Sequence, residues 1–365
     1  MRHPALSLAA SAVLFAACDS GPVKQTDTSG EASVALDSGE SDSGDDGGGD
    51  SGGDSGGDSG GDSSGDSGGD SSGDSGGDSG GDSSGDSGGD SGGDSGGDSS
   101  GDSGGDGDPD PVAEDTRLAG SFTYNRSTDS VTVSAECDLD VMVFTPTGTP
   151  VGTVVVSHGF IRSGDKMEGW AEHYASWGFL AIVPNLCHSS LWDTDHEANG
   201  AAIAELVNQM GVGPAAYVGH SAGGLASALA LAADPSAVGG VGLDPVDSGS
   251  LGANAAFSMP FHGLFAEPGN CNSRSNGVDM VNGGAVLVSE AGHCDFESPR
   301  DAICDLACGE SNPNYSDDEI EDVVRALSTA ALLGLFGDTA THDAWWTSGG
   351  EFYDAYLGTG AISPM

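Results

Sequence analysis

Gly219-His220-Ser221-Ala222-Gly223-Gly224 sets a serine between an apolar run, Ala215 to Val218, and a helix-like run, Leu225 to Ala233. A serine at the apex of a strand, sharp turn and helix is the setting in which G-x-S-x-G presents a nucleophile. Glycines at 219 and 223 fit a turn too tight for a side chain on either flank. The hydroxyl of Ser221 is then pushed out of the sheet top, and the N–H of Ala222 is left to face developing negative charge. Serine alone is a weak nucleophile. It needs a base, an acid that orients the base, and donors for an oxyanion.

The remaining parts are sought at strand ends. Gly152 to Ser157 (GTVVVS) reads as a buried strand and runs into His158-Gly159-Phe160. Gly159 is expected to let the chain swing so that the Phe160 N–H joins that of Ala222 as an oxyanion donor. Ala285 to Glu290 reads as a late strand, and Ala291-Gly292-His293 follows it, so His293 is the candidate base. His262 falls inside the preceding strand and reads as packed, His220 is the variable position of the turn, and His342 lies in the tail. Three acids compete. Asp244 ends the strand Val238 to Leu243 and is followed by Pro245, which stops a strand; Asp247 lies three residues on; Glu267 ends the next strand. Each carboxylate has a plainer role as a turn or helix cap, since Asp before Pro commonly starts a turn.

VVVSHGF, GHSAGG, GLDPVD and AGHCDF together resemble the chlorophyllase and platelet-activating-factor acetylhydrolase branch of the α/β hydrolases. That resemblance implies an α/β-hydrolase fold and puts the acid in the segment similar to GLDPVD, which favours Asp244 over Glu267. Val151 to Met210 also resembles bacterial polyester hydrolases of the PETase and cutinase type, including Trp170 and Trp177-Gly178-Phe179. Those enzymes carry an Asp after the seventh strand, where this chain has Glu267-Pro268-Gly269, so the cutinase pattern breaks there. The likeness covers about residues 118 to 338. It implies a serine carboxylic-ester hydrolase with Ser221, Asp244 and His293 as the triad and no metal or organic cofactor. A lipase or phospholipase A2-like enzyme and a polyester hydrolase are the alternatives within that class. A surface binding module on the same fold is the non-enzyme alternative.

Strand-like runs fall near 120–126, 130–136, 140–145, 152–157, 179–184, 214–219, 238–243, 260–266 and 285–290. Helix-like runs fall near 166–177, 197–210, 222–233 and 317–336. The βα alternation from 152 onward predicts a mostly parallel sheet with helices on both faces. No long insertion follows Asp244, so no large lid is expected. The loop Cys187 to Glu197 is a candidate cleft wall, with Trp192 either lining the cleft or covering the core.

Composition divides the chain into three parts: a leader over 1–17, a spacer over 18–115 and a folded domain over 116–365. Arg2 precedes a 13-residue apolar run, Ala5 to Ala17, too short to span a bilayer. Ala16-Ala17-Cys18 resembles a lipoprotein cleavage site, with Phe15 where leucine is usual, so Cys18 is the candidate lipidated residue. The chain is expected to be exported and lipid-anchored, with plain secretion as the alternative. From Asp50 to Asp106 an aspartate recurs every fourth residue, separated by Ser and Gly. Nothing apolar in the repeat offsets the entropy of ordering it, which also argues against a calcium-binding β-helix.

The net charge is −49, and 31 of the 58 acidic residues lie beyond residue 115 against seven basic ones. Such a surface repels nucleic acid and anionic membranes. The expected partner is therefore an ester, small or polymeric, met by a monomer that contacts a membrane only through its anchor. Of seven cysteines, Cys18 goes to the anchor and six remain, an even count that predicts disulfides in an exported domain. Cys271 with Cys294 and Cys304 with Cys308 are the expected pairs. Zinc is disfavoured because the spacing lacks a C-x2-C knuckle.

Overall fold

A computed structural model describes residues 113–308 and 314–365. The leader, Cys18 and the aspartate repeat lie outside the described residues.

Nine strands form one sheet: β1 (Tyr124–Ser134), β2 (Cys137–Pro146), β3 (Gly152–Ser157), β4 (Phe179–Pro184), β7 (Ala215–His220), β8 (Gly239–Leu243), β9 (Phe261–Phe265), β10 (Ala285–Val288) and β11 (Ile362–Pro364). A separate two-stranded ribbon pairs β5 (Ser189–Ser190) with β6 (Asp193–Thr194). The large sheet is ordered β1-β2-β4-β3-β7-β8-β9-β10-β11. Its centre, β4 to β10, is parallel, and both margins are antiparallel. This is an α/β fold with a mixed, mostly parallel sheet.

Burial on both faces explains the continuous apolar strands. In β3, Val154 and Val156 point into one core and Val155 into the other. The first core is covered by α1 (Glu168–Ser176) and α5 (Asp317–Leu335), through Trp170, Tyr174, Val324 and Leu327. The second is covered by α2 (His196–Met210) and α3 (Ala222–Ala233), through Ile203, Leu206 and Leu225. Helix ends follow local chemistry. The Asp195 carboxylate accepts the Ala198 N–H at the start of α2, and Gly211, with φ of 64°, closes it. Ser316 and Glu319 form a reciprocal capping box at the start of α5.

The structure departs from the sequence expectations at both margins. The separate strands expected near 120–126 and 130–136 are one strand, β1, whose Ser127 to Ser130 stretch is exposed and pairs along β2. Backbone pairing at an edge needs no apolar side chain, so the polar stretch looked like a break. At the other end α4 (Ala302–Cys308), α6 (Thr339–Trp346), α7 (Glu351–Thr359) and β11 are additional. Their runs are short and carry polar or aromatic residues without clear periodicity.

Buried histidines give the domain a pH-dependent stability. Burial pushes His158, His173 and His262 down to about 4, and it holds His220 well below the ordinary imidazole value. As pH falls below the ordinary imidazole value near 6.5, the unfolded chain takes up protons that these folded imidazoles refuse. Their contribution is complete above about 6.5 and is lost progressively down to about 4. The melting temperature is therefore expected to drop across that window, by several degrees or more in a scanning-fluorescence titration. A flat profile from pH 7 to 4.5 would contradict the assignment of these rings as neutral.

Candidate active site

Ser221 sits between β7 and α3 with φ of 56° and ψ of −124°. A side-chain-bearing residue holds such a backbone only where its surroundings force it. Two glycines show what forces it here. A Cβ at Gly219 would lie 2.1 Å from the Gly223 carbonyl oxygen, and a Cβ at Gly223 would lie 2.5 Å from those of Ser157 and His158. The turn, helix and neighbouring loop meet with no room for a methyl group. The Ser221 N–H donates to the Leu243 carbonyl at 3.1 Å, and its own carbonyl accepts from Gly224 and Val246. Gly223→Ala is expected to cost about 1–3 kcal/mol or more, read as a lowered melting temperature with loss of any activity at Ser221.

Asp244 directly follows β8, fully buried, with φ of 43°. Its Oδ2 accepts from His293 Nδ1 at 2.6 Å. Its Oδ1 accepts from the Ala266 N–H at 3.0 Å and from Asn272 Nδ2 at 3.3 Å. Because a carboxylate so placed accepts, the His293 proton lies on Nδ1 and Nε2 is the basic nitrogen. The other two acids are occupied differently. Asp247 accepts the N–H groups of Gly252 and Ala253. Glu267 is exposed, and its carboxylate accepts from the Glu290 N–H at 3.2 Å.

The His293 loop is held from several sides. Gly292 donates to Asp295 Oδ2 at 2.7 Å, Arg300 pairs with Asp295, and Trp170 Nε1 donates to the Phe296 carbonyl. The carbonyl of His293 itself accepts from His220 Nε2 at 3.0 Å, and the two rings lie 4.6 Å apart. In the sequence His220 is the variable position of the turn; in the structure it is a brace for His293.

The Gly159–Phe160 peptide faces Ser221. His158, whose Nε2 accepts from the Leu186 N–H, must carry its proton on Nδ1, which lies 2.9 Å from the Gly159 carbonyl. The Arg162 backbone N–H donates to the same oxygen at 3.3 Å. A trans peptide points its N–H away from its carbonyl, so this anchoring also fixes the Phe160 N–H. The expectation that Gly159 supplies a swing is corrected. The left-handed residue is Ile161, with φ of 57°, and Gly159 is there for space, since a Cβ would lie 3.1 Å from Ser221 Cβ.

Ser221, His293, Phe160 and Gly159 line one cavity of about 690 Å³. Its lining mixes apolar side chains, Ile161, Ile303 and Ala307, with polar ones, Ser250, Ser273 and Asn276. Trp192 belongs to neither of its expected places. It is 95% exposed at the tip of the β5–β6 ribbon, neither lining the cavity nor covering the core.

The expected cysteine pairs are also corrected. The disulfides join Cys137 to Cys187, Cys271 to Cys308 and Cys294 to Cys304. Nearness in sequence misled: Cys304 and Cys308 both lie on α4, and each reaches a different loop of the cavity wall. The sulfurs of Cys294, Cys304 and Cys308 lie within 4.8 Å of one another, but all are bridged, so they offer no thiolate to a metal. Cys294 follows His293 directly. The double variant Cys294→Ser/Cys304→Ser is expected to lose about 2–4 kcal/mol of stability and, through the loosened His293, to lose turnover in assays well below its melting temperature.

No protein-family model matches the chain, and a search of curated proteins finds no match.

Proposed function

We propose that this chain is a serine carboxylic-ester hydrolase on an α/β-hydrolase fold. The observation that carries the reading is the 2.6 Å contact of Asp244 with His293, on a cavity that also exposes Ser221 from a strained turn. The strand order supports it, because nucleophile, acid and base follow the parallel strands β7, β8 and β10 in the chain order Ser, Asp, His.

In this mechanism His293 Nε2 takes the Ser221 proton as Oγ attacks the ester carbonyl. The tetrahedral oxyanion is met by the N–H groups of Phe160 and Ala222. Collapse expels the alcohol, which receives the proton from His293, and leaves an acyl-Ser221 ester. Water, deprotonated by His293, attacks that ester; on collapse the acid leaves and His293 returns the proton to Ser221 Oγ. Asp244 holds the ring and stabilises its charged form throughout. A binding module would have no use for the backbone strain at Ser221 or for a buried carboxylate committed to an imidazole. A panel of 4-nitrophenyl esters from acetate to octanoate is the test. Turnover on the shorter members is expected, and no turnover on any member would overturn the reading.

The cell-surface tether is part of the same proposal. A chain beginning at Pro111 is expected to fold and to hydrolyse soluble esters at the full-length rate. The full-length chain is expected in the membrane fraction, held by lipids on Cys18, and Cys18→Ala is expected to release it or block its maturation. An inactive or unfolded shortened chain would make the spacer part of the folded unit.

A further inference from the structure

Among the described residues, Arg117, Arg126, Arg162, Lys166, Arg300 and Arg325 each form an ion pair with a carboxylate. Arg274 forms none, although acidic residues outnumber basic ones about fourfold in this part of the chain. It stands on the wall of the cavity that Ser221 and His293 share. Chance placement on so acidic a surface would ordinarily find a guanidinium a partner.

The charges around it are already committed. Two carboxylates line the cavity. Asp247 is buried and accepts two backbone N–H groups, at 2.9 and 3.1 Å. Glu297 is buried and held by Arg162, whose Nε lies 2.6 Å from Oε1. Of the four charged side chains on the cavity wall, Arg162, Asp247 and Glu297 are thus held by protein partners, and the Arg274 guanidinium alone has none among the described residues.

The loop that carries Arg274 is strained and anchored to the reaction centre. Ser273, Arg274 and Ser275 are three successive residues with φ of 49°, 60° and 59°. Each such residue other than glycine costs about 1–2 kcal/mol. Arg274 N–H donates to the Gly269 carbonyl at 2.8 Å, and the Cys271–Cys308 disulfide clamps the same loop. Asn272 binds it on three sides: its Oδ1 accepts from Gly269, and its Nδ2 donates to the Glu267 carbonyl and to Asp244. The side chain that holds the Arg274 loop thus also touches the carboxylate that orients His293.

We propose that Arg274 is a specificity-determining residue that recognises an anionic group, a carboxylate, on the acyl or alcohol part of the ester. The substrate class is a monoanionic ester, with its charge at Arg274 and its neutral remainder against the apolar lining of Ile161, Ile303 and Ala307. A planar guanidinium with several donors suits a carboxylate, and a contact to a charged group is the stronger kind. The inference rests on the hydrolase reading above.

The test compares isosteric ester pairs. Mono-4-nitrophenyl glutarate against 4-nitrophenyl pentanoate places the charge on the acyl side. 4-(Butyryloxy)benzoate against its methyl ester places it on the alcohol side. In at least one pair, kcat/KM is expected to favour the anion about tenfold or more. Arg274→Gln is expected to shrink that ratio by about 10–100-fold, and Arg274→Lys to keep part of it. Arg126→Gln removes the same charge away from the cavity and is expected to leave the ratio unchanged, which separates local contact from the overall field. Neutral esters favoured in both pairs, or an Arg274→Gln ratio equal to wild type, would overturn the proposal. Calorimetric binding of glutarate to Ser221→Ala needs no chemistry: loss of that binding in Ser221→Ala/Arg274→Gln supports the site, and no binding in Ser221→Ala refutes it. If no ester is turned over while glutarate still binds through Arg274, the hydrolase reading fails and the anion site stands.

Discussion

Ser221→Ala is expected to lower ester turnover by about five to six orders of magnitude. The variant keeps the peptide N–H groups of Phe160 and Ala222, so a bound ester still meets oxyanion donors. What it lacks is the covalent route, which replaces one difficult displacement by two easier ones. Deleting a hydroxyl that is already mostly buried, 8% exposed, removes little packing, so the fold is expected to survive. Full-progress assays of wild type and variant, with circular dichroism on both, check this. A loss of less than about tenfold in a folded variant would mean that water, not Ser221, attacks the substrate.

Asp244→Asn is expected to cost about 10³–10⁴ in turnover. The reason lies in the partners of the carboxylate. Oδ1 accepts from the Ala266 N–H and from Asn272, and an introduced amide would keep its oxygen there. Its NH2 would then face His293 Nδ1, which must become the acceptor. The His293 proton moves to Nε2, and the nitrogen that should take the Ser221 proton is already protonated. Glu267→Gln, at an exposed side chain bonded only to a backbone N–H, is expected to stay within about threefold of wild type. The opposite ranking would move the acid to Glu267 and bring the chain closer to the cutinase pattern.

The parallel centre of the sheet was legible because burial on both faces writes itself as apolar runs such as GTVVVS. The turn at Ser221 was legible because its sterics are local: glycines two residues before and two after the serine mark the squeeze. Asp244 and His293 were legible as strand-end residues, although composition alone left Asp247 and Glu267 open beside Asp244. What stayed hidden depends on long-range distance. Two of the three disulfides follow from where α4 docks, which no spacing states. The brace from His220 to the His293 carbonyl spans 73 residues. The grip of His158 on the Gly159 carbonyl is adjacent in sequence, but its signal, a histidine before a glycine, is indistinguishable from an ordinary loop until Leu186 fixes the tautomer. The β1 edge failed for the reverse reason, since its polar pattern answers to solvent rather than to the core.

The most direct measurement is covalent labelling with a fluorophosphonate, followed by peptide mass spectrometry. The wild-type chain is expected to gain one adduct, on the peptide containing Ser221, at a rate that falls steeply in Asp244→Asn and vanishes in Ser221→Ala. An unlabelled wild-type chain, or an adduct that persists in Ser221→Ala, would contradict a nucleophilic Ser221 activated by His293 and Asp244.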